Sequence, residues 1–262
     1  MSRIPETFAR LRNENRRGFI PFITAGDPDL KTTCELILEL ARSGATVIEL
    51  GVPFSDPMAD GPVIQRASER ALRNGVGVAE VLSVIEDARR ETDVPVVLFS
   101  YYNPLLQYGA EHLCSAAKRA GVDGMLVTDL APEEAGEFAA TLSAHKLDLI
   151  FLVAPTSTDL RLSRIAERAS GFIYAVSRSG VTGVQSASST EAERLVARVR
   201  AFTNLPVAVG FGISNREQVA DVWRYSDAAV VGSAIVSEIE KRSGAPDLVA
   251  HIGAFARGLL PA

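Results

Sequence analysis

The segment Thr46-Val-Ile-Glu-Leu-Gly-Val-Pro-Phe-Ser-Asp-Pro-Met-Ala-Asp-Gly-Pro62 decides how the rest of the chain can be arranged. Its first part predicts a short strand, because Val47, Ile48 and Leu50 are apolar residues that favour β-structure. Side chains alternate across a strand, so Glu49 shares a face with Val47. If one face of this strand packs on helices and the other lines a barrel, Glu49 points into the barrel.

Two carboxylates in this segment stand eleven residues apart. Glu49 interrupts the apolar run near the end of the predicted strand, and Asp60 lies in the proline-rich loop after it. A carboxylate at the C-terminal end of a buried strand, with a second one close by, is a candidate acid/base pair. The pattern leaves a structural alternative open, in which Glu49 forms a salt bridge and Asp60 caps the next helix.

Short apolar strands alternate with amphipathic helices on both sides of this segment. Strands are predicted at 18–24, 47–50, 95–99, 124–127, 147–153, 172–176, 206–209 and 228–231. Helices are predicted at 3–15, 30–42, 63–73, 78–92, 110–120, 132–144, 160–169, 191–202, 215–223 and 247–259, with a short one from Ser233. Such alternation implies parallel strands with right-handed crossovers.

Eight such units in 262 residues favour a closed (β/α)₈ TIM barrel, which typically takes ~250 residues. An open doubly wound sheet is the competing arrangement. No linker or change of composition divides the chain, so one barrel domain over residues 1–262 is predicted. The helix at 3–15 is an extra N-terminal element that we expect to plug one end of the barrel.

Composition narrows the classes of partner. The hydrophobic fraction of 47% supports a large core, and a net charge of −5 without a basic cluster argues against nucleic acid. No apolar run reaches the ~18 residues that would span a membrane, and the first residues lack the apolar core of a signal peptide. A cytoplasmic location is therefore expected. Cys34 and Cys114 are predicted to be single buried thiols, without disulfide or metal.

Glycine-rich loops follow the last two predicted strands, where (β/α)₈ barrels often bind phosphate. Gly210-Phe-Gly-Ile-Ser214 follows strand seven, and Gly232-Ser233 follows strand eight. Glycine lets backbone N–H groups approach an anion, and a helix that starts at Ser233 would point its positive end at it. Asn215 stands where a dinucleotide fingerprint would need its third glycine, so a phosphate site is predicted instead.

The segment 177–190 after strand six is small, polar and too long for an ordinary turn, which is typical of a lid. The alternative is a surface loop without a role.

The histidines do not fall where a barrel active site is expected. His112, His145 and His251 lie in helices or just before a strand, and are interpreted as surface or packing residues. Proton transfer is therefore assigned to carboxylates, with Tyr174 as a further candidate. Four apolar residues at or near strand ends are core residues by default and together are candidates to line a pocket for a flat apolar group: Phe22, Phe99, Leu126 and Phe211.

At this point the motifs resemble those of the tryptophan synthase α subunit family. The matching segments are Phe19-Ile-Pro-Phe-Ile-Thr-Ala-Gly-Asp-Pro28, Ile48-Glu-Leu-Gly-Val-Pro-Phe-Ser-Asp-Pro57 with Ala59-Asp-Gly-Pro62, Ser177-Arg-Ser-Gly-Val-Thr-Gly183, and Gly210-Phe-Gly-Ile-Ser214 with Gly232-Ser233. The resemblance covers nearly the whole chain. It implies a barrel that cleaves indole-3-glycerol phosphate to indole and glyceraldehyde 3-phosphate, with no cofactor of its own.

The resemblance also implies roles for single residues. Glu49 resembles the family's general acid/base, Asp60 the carboxylate that accepts the indole N–H, and Tyr174 the tyrosine near the reacting carbons. Thr182 matches the lid threonine that positions Asp60. The remaining matches are substrate contacts: Gly183, Gly212, Gly232 and Ser233 for the phosphate, Phe22, Phe99, Leu126 and Phe211 for the pocket, and Ile213 beside them.

A partner is implied in the same way. It is a pyridoxal-phosphate-dependent β subunit that receives the indole, in an α₂β₂ complex, and Pro53, Asp56 and Asn103 are expected on the surface that meets it. Three alternatives stay open: another phosphate-binding barrel, such as a sugar-phosphate isomerase of histidine or tryptophan synthesis; a non-catalytic barrel subunit; and a free-standing lyase that releases indole.

Overall fold

The computed structural model describes residues 2–176, 185–210 and 212–261, and the side chains of all of these except 185–189. The strands are β1 (Gly18–Thr24), β2 (Ile48–Gly51), β3 (Val96–Ser100), β4 (Gly124–Val127), β5 (Asp148–Val153), β6 (Ile173–Val176), β7 (Val207–Gly210) and β8 (Ala228–Val231). Each strand pairs in parallel with the next, and β8 pairs with β1. The sheet is therefore a closed (β/α)₈ barrel, as predicted, and not an open doubly wound sheet.

Helices lie between the strands and around them. They are α1 (Ile4–Asn13), α2 (Leu30–Arg42), α3 (Pro62–Arg73), α4 (Val78–Ala88), α5 (Tyr102–Tyr108), α6 (Ala110–Ala120), α7 (Gly136–Ala144), α8 (Asp159–Arg168), α9 (Gln185–Arg200), α10 (Arg216–Trp223), α11 (Ser233–Arg242) and α12 (Leu248–Leu259). Most of these bounds lie within two residues of the prediction.

Four helices differ from the prediction by more than two residues. Helix α4 ends at Ala88, four residues before the predicted end at 92. Helix α5 was missed, because the Asn103-Pro104 pair is typical of a turn; Pro104 instead occupies the first turn of α5, where a proline is tolerated. Helix α7 begins four residues later than predicted, since hydrogen-bonded turns at 131–135 come first. Helix α9 begins at Gln185, so the second half of the predicted loop 177–190 was wrong and is helical.

The barrel interior is a separate apolar cluster. Its members come from alternate positions of the strands and from one face of α1: Ile4, Phe8, Leu11, Ile20, Val47, Val97, Leu126, Ile150, Phe172, Tyr174, Ala208, Ala228 and Val230. The Phe8 and Phe172 rings lie 5.9 Å apart between centroids. Helix α1 thus closes the end of the barrel at which the strands begin, as predicted.

A larger cluster fills the layer between the strands and the helices. Ile48 and Leu50 belong to this outer cluster, whereas Val47 belongs to the interior. Strand alternation therefore turns Glu49 to the interior face. Its register partners are Phe22 on β1 and Val97 on β3, so the carboxyl group lies above the apolar filling of the barrel.

Candidate active site

Glu49 is a buried carboxyl group on the inner face of β2. The residue is 1% exposed, and its Oε1 atom has no hydrogen-bond partner within the described part of the chain. No arginine, lysine or histidine of that part forms an ion pair with it, so the described residues do not support the salt-bridge alternative. Burial raises the pKa of Glu49 to about 8. The carboxyl group therefore holds a proton near neutral pH.

Tyr174 shares the interior with Glu49. It lies on β6, is 8% exposed, and has its pKa raised by burial and by the neighbouring charge of Glu49. Its hydroxyl group lies over the α-carbon of Gly210, where a Cβ atom would overlap it. Gly210 was predicted only as part of a phosphate loop; here its missing side chain makes room for Tyr174.

Asp60 lies in the loop between β2 and α3 and does not cap the helix. The N-cap of α3 is Gly61, which has no side-chain hydrogen bond. The backbone of Asp60 is held on both sides: its N–H donates to the Pro57 carbonyl at 3.1 Å, and its carbonyl accepts from Nε2 of Gln65 at 2.9 Å. These contacts replace the cap predicted by the structural alternative.

Tyr101 is a site residue that the sequence analysis missed. Its hydroxyl group accepts the N–H of Ala59 at 2.8 Å and forms a side-chain hydrogen bond with Asp60. Burial raises the pKa of Asp60 to about 6, and the hydrogen bond from Tyr101 opposes that rise. The sequence feature that could have indicated this role is the position of Tyr101 directly after β3, at the same end of the barrel as the other candidates.

A small cavity lies beside Asp60 at the mouth of the barrel. Its lining is mostly apolar with a few hydroxyl groups: Phe22, Thr24, Gly51, Val52, Asp60, Ile64, Ser68, Phe99, Ser100 and Tyr101. The rings of Phe22 and Phe99 meet edge to face, with centroids 5.2 Å apart. Gly51 leaves room for Phe22, because a Cβ there would come within 2.6 Å of the ring.

The predicted pocket residues do not all line this cavity. Phe22 and Phe99 do, whereas Leu126 is fully buried in the barrel interior next to Phe99. The hydroxyl oxygen of Thr24, which was not among the candidates, is buried without a hydrogen-bond partner in the described residues.

The predicted phosphate loops follow the neighbouring strands β7 and β8 at the same mouth. Gly232 is the N-cap of α11, and Ser233 is its first residue. A Cβ at Gly232 would contact Phe22 at 3.5 Å, so the start of this helix lies directly beside the cavity. Gly212 has a φ of 73°, which favours glycine, and the following Ile213 is buried. The backbone N–H groups in the first turn of α11 form a suitable environment for an anion.

Thr182, Gly183, Phe211 and the first part of the predicted lid, 177–184, lie outside the described residues. The histidines are away from the mouth, as predicted: His145 bonds to Glu111 at 2.8 Å, His251 to Glu238 at 3.2 Å, and His112 stacks on Tyr108. In residues 2–176, 185–210 and 212–261, no group of histidine, cysteine and acidic side chains could hold a metal ion.

Comparison with known proteins decides the family. Residues 8–258 match the family model described as tryptophan synthase alpha chain. The alpha chain of Citrifermentans bemidjiense is 49% identical, covering 99% of this chain and 97% of the relative, and that of Geobacter sulfurreducens is 49% identical, covering 99% and 98%. This chain belongs to the tryptophan synthase alpha chain family. It is accordingly a lyase that cleaves indole-3-glycerol phosphate to indole and glyceraldehyde 3-phosphate in tryptophan biosynthesis.

Solved structures of tryptophan synthase alpha chains share the fold. The subunit from Legionella pneumophila superposes with a TM-score of 0.92 at 38% identity, covering 99% of this chain and 97% of that one. A tryptophan synthase structure from M. tuberculosis in its aminoacrylate-bound form contains a chain that superposes with a TM-score of 0.87 at 39% identity, covering 99% and 100%.

Membership of the tryptophan synthase alpha chain family removes the alternative of a sugar-phosphate isomerase and implies a β-subunit partner. Within the residues that the structure describes, no helix is both long and apolar enough to cross a bilayer.

Proposed function

We propose that Glu49 is the general acid and base of the cleavage, and that Asp60 stabilises the charged intermediate. The observation that supports this most directly is the state of Glu49, a buried carboxyl group without an ion-pair partner whose pKa is raised to about 8. Such a group carries a proton at neutral pH and can give it to a carbon atom in a site that excludes water.

The proton first goes to the ring carbon that bears the glycerol chain. The ring nitrogen then carries positive charge, and the Asp60 carboxylate accepts its N–H. With a pKa of about 6, Asp60 is mainly ionised at pH 7 and is suited to this role. Glu49, now a carboxylate, takes the proton of the glycerol hydroxyl. The carbon–carbon bond breaks, its electron pair returns to the ring, and indole and glyceraldehyde 3-phosphate are released.

After this cycle Glu49 is protonated again, so one carboxyl group serves both proton transfers. Tyr174 is proposed to lie next to the reacting carbons, since the charge of Glu49 acts on its pKa. Thr182 is proposed to position Asp60 from the lid segment 177–184.

Binding is divided between two groups of residues. The rings of Phe22 and Phe99 are proposed to hold the indole, with Leu126, Phe211 and Ile213 as further pocket residues. The phosphate is proposed to bind to backbone N–H groups around Gly183, Gly212, Gly232 and Ser233. Support comes from the position of Gly232, the N-cap of α11, beside Phe22, which brings the partial positive charge of the helix N-terminus next to the apolar cavity.

The partner is proposed to be a pyridoxal-phosphate-dependent β subunit in a cytoplasmic α₂β₂ complex, with residues 1–262 as one domain and no cofactor in this chain. Asp56 and Asn103 are exposed at the barrel mouth, as a docking surface requires, whereas Pro53 is buried. Met58, on the same loop as Asp56, is 93% exposed. A docking partner would cover this apolar side chain.

The test is indole formation from indole-3-glycerol phosphate by the purified chain, alone and during titration with a cognate β subunit. We expect slow release by the chain alone and acceleration by the partner. A rate that stays constant despite demonstrated binding would favour a free-standing lyase, and absence of cleavage under both conditions would favour a non-catalytic subunit.

A further inference from the structure

Four charged side chains form a continuous network beneath the barrel mouth. Arg70 on α3 holds the carboxylate of Asp27 in a two-point contact, Nε to Oδ1 at 2.7 Å and Nη2 to Oδ2 at 2.8 Å. Its remaining nitrogen, Nη1, donates to Oε1 of Glu240 at 2.7 Å. Glu240 also holds Arg66 in a two-point contact, with both distances 2.7 Å. The charges alternate in sign and cancel.

The pair of Asp27 and Arg70 is the more buried part of this network and therefore the part that is harder to separate. Asp27 is 2% exposed and the Arg70 side chain 25%, whereas that of Arg66 is 48% exposed. Paired guanidinium and carboxylate groups in such a position are costly to separate, because the remaining charge would stay buried without a partner. The hydrogen bond to Asp27 raises the pKa of Arg70, and that to Arg66 is the largest of the effects that lower the pKa of Glu240 to about 2.

The network joins three parts of the chain that carry or directly follow proposed site residues. Asp27 follows β1, the strand of Phe22. Arg70 and Arg66 lie one turn apart on α3, which begins two residues after Asp60. Glu240 lies on α11, whose first turn is the proposed phosphate site.

Helix α3 is the support of the Asp60 loop. The N-cap residue Gly61 has no side chain that could cap the start of α3, and Gln65 in the first turns of the helix donates to the Asp60 carbonyl at 2.9 Å. A displacement of α3 would therefore carry Asp60 with it. A misplacement of ~1 Å in a reacting group can cost about 10²-fold in rate, so the setting of α3 relative to α11 matters for catalysis.

We propose that Arg70 is a positioning residue for the cleavage reaction: by joining Asp27 to Glu240 it sets the distance between Asp60 and the phosphate site at the start of α11. This inference rests on the proposed roles of Asp60 and of the α11 N-terminus. Arg70 touches neither group itself. It acts through helices whose relative position it sets.

The test compares Arg70→Met and Arg70→Lys with Arg73→Met. Methionine keeps much of the aliphatic stem, and lysine keeps the charge but cannot make a two-point contact. Arg73 is the matched control, since it lies on the same helix with its side chain 77% exposed and, among the described residues, pairs only with Glu69, at 3.9 Å. We measure kcat and KM for indole-3-glycerol phosphate, the Kd of glycerol phosphate, and unfolding by urea.

The expected result is a loss of about tenfold or more in kcat for Arg70→Met, a smaller loss for Arg70→Lys, and no more than a twofold change for Arg73→Met. The Kd of glycerol phosphate should stay within about threefold, because the phosphate loops are intact. A lowered urea midpoint with unchanged kcat would overturn the inference, since it would show a purely structural role. Equal losses in kcat and phosphate affinity would overturn it as well.

Two further variants keep the outcome decisive. Asp60→Asn is assayed in parallel: full activity there refutes the proposed role of Asp60, whereas an inactive Asp60→Asn beside a fully active Arg70→Met refutes this inference alone. If Arg70→Met does not fold, Glu240→Gln replaces it in the same measurements. The Glu240 side chain is 28% exposed, so its charge can be removed without burying an unpaired group.

Discussion

The hydroxyl group of Tyr174 occupies the space that a side chain at Gly210 would need. A Cβ atom at Gly210 would overlap the hydroxyl oxygen, and it would also approach Val230 to 2.9 Å. Tyr174 on β6 can therefore pack against β7 only because residue 210 has no side chain. This contact places the Tyr174 hydroxyl in the barrel interior with Glu49.

Gly210→Ala should displace Tyr174 and lower the rate of indole formation by about tenfold or more, because a reacting geometry tolerates little displacement. Steady-state kinetics on the folded variant would measure this. Gly136→Ala is the control, since a Cβ at the start of α7 meets no atom of the described residues within 4 Å. Equal activity of the two variants would show that the position of Tyr174 is unimportant for cleavage.

Glu49→Gln should bind indole-3-glycerol phosphate within a few-fold of the wild type but lose 10²–10⁴-fold in kcat, the usual effect of removing a general acid/base. Glutamine keeps the shape of the side chain and cannot release a proton to carbon. Glu69→Gln, exposed on α3, serves as the control. A Glu49→Gln enzyme that kept a third of the wild-type rate would refute the assignment.

The same substitution should change how stability depends on pH. The folded-state pKa of Glu49, about 8, lies above its ordinary value of 4.5. Between these two pH values the folded protein therefore keeps the proton that the unfolded chain has lost. The free energy of unfolding of the wild type therefore decreases as the pH rises from 4.5 to about 8. Glu49→Gln lacks the titrating group, so its stability should not show this decrease. Urea unfolding at pH 5 and pH 9 should show a gain for Glu49→Gln over the wild type at pH 9 only, on the order of a few kcal/mol. If the free energies of unfolding of the wild type and Glu49→Gln differed by the same amount at pH 5 and at pH 9, Glu49 would be charged in the folded state.

Gly232→Asp should weaken binding of phosphate-bearing ligands much more than binding of indole analogues. A carboxylate at the N-cap of α11 would compete with the anion for the N–H groups of the first turn. Calorimetric titration with glycerol phosphate and with an indole analogue measures both affinities. The control is Gly258→Asp on α12, where a Cβ meets nothing within 4 Å in the part of the chain that the structure describes. Parallel losses for the two ligands would exclude the start of α11 as the phosphate site.

Met58→Glu should reduce activation by the β subunit without changing the rate of the chain alone. Met58 is 93% exposed beside Asp56, so a charge there affects docking and not folding. Phe202→Glu, on the loop before β7 at the opposite end of the barrel, is the control. Titration of each variant with the β subunit, followed by indole formation, gives the activation constant. An unaltered constant for Met58→Glu would remove this loop from the proposed interface.

The sequence alone predicted the barrel and the orientation of Glu49, because both depend on local periodicity. Alternation in 47–50 is sufficient to place Glu49 on the face opposite Ile48 and Leu50, whatever the strand pairs with. The repeated strand–helix pattern likewise predicts parallel pairing. Helix α5 was not predicted, because a proline in the first turn of a helix gives the same local sequence pattern as a turn.

The tertiary structure decided which residues support the candidate site. Tyr101 contacts Asp60 only because β2 and β3 are neighbours in the barrel, and Arg70 meets Asp27 and Glu240 across 43 and 170 positions of the chain. The raised pKa values of Glu49 and Asp60 likewise come from burial by residues distant in sequence. Periodicity is a property of neighbours along the chain. Desolvation, close packing and long-range ion pairs arise only when the barrel closes.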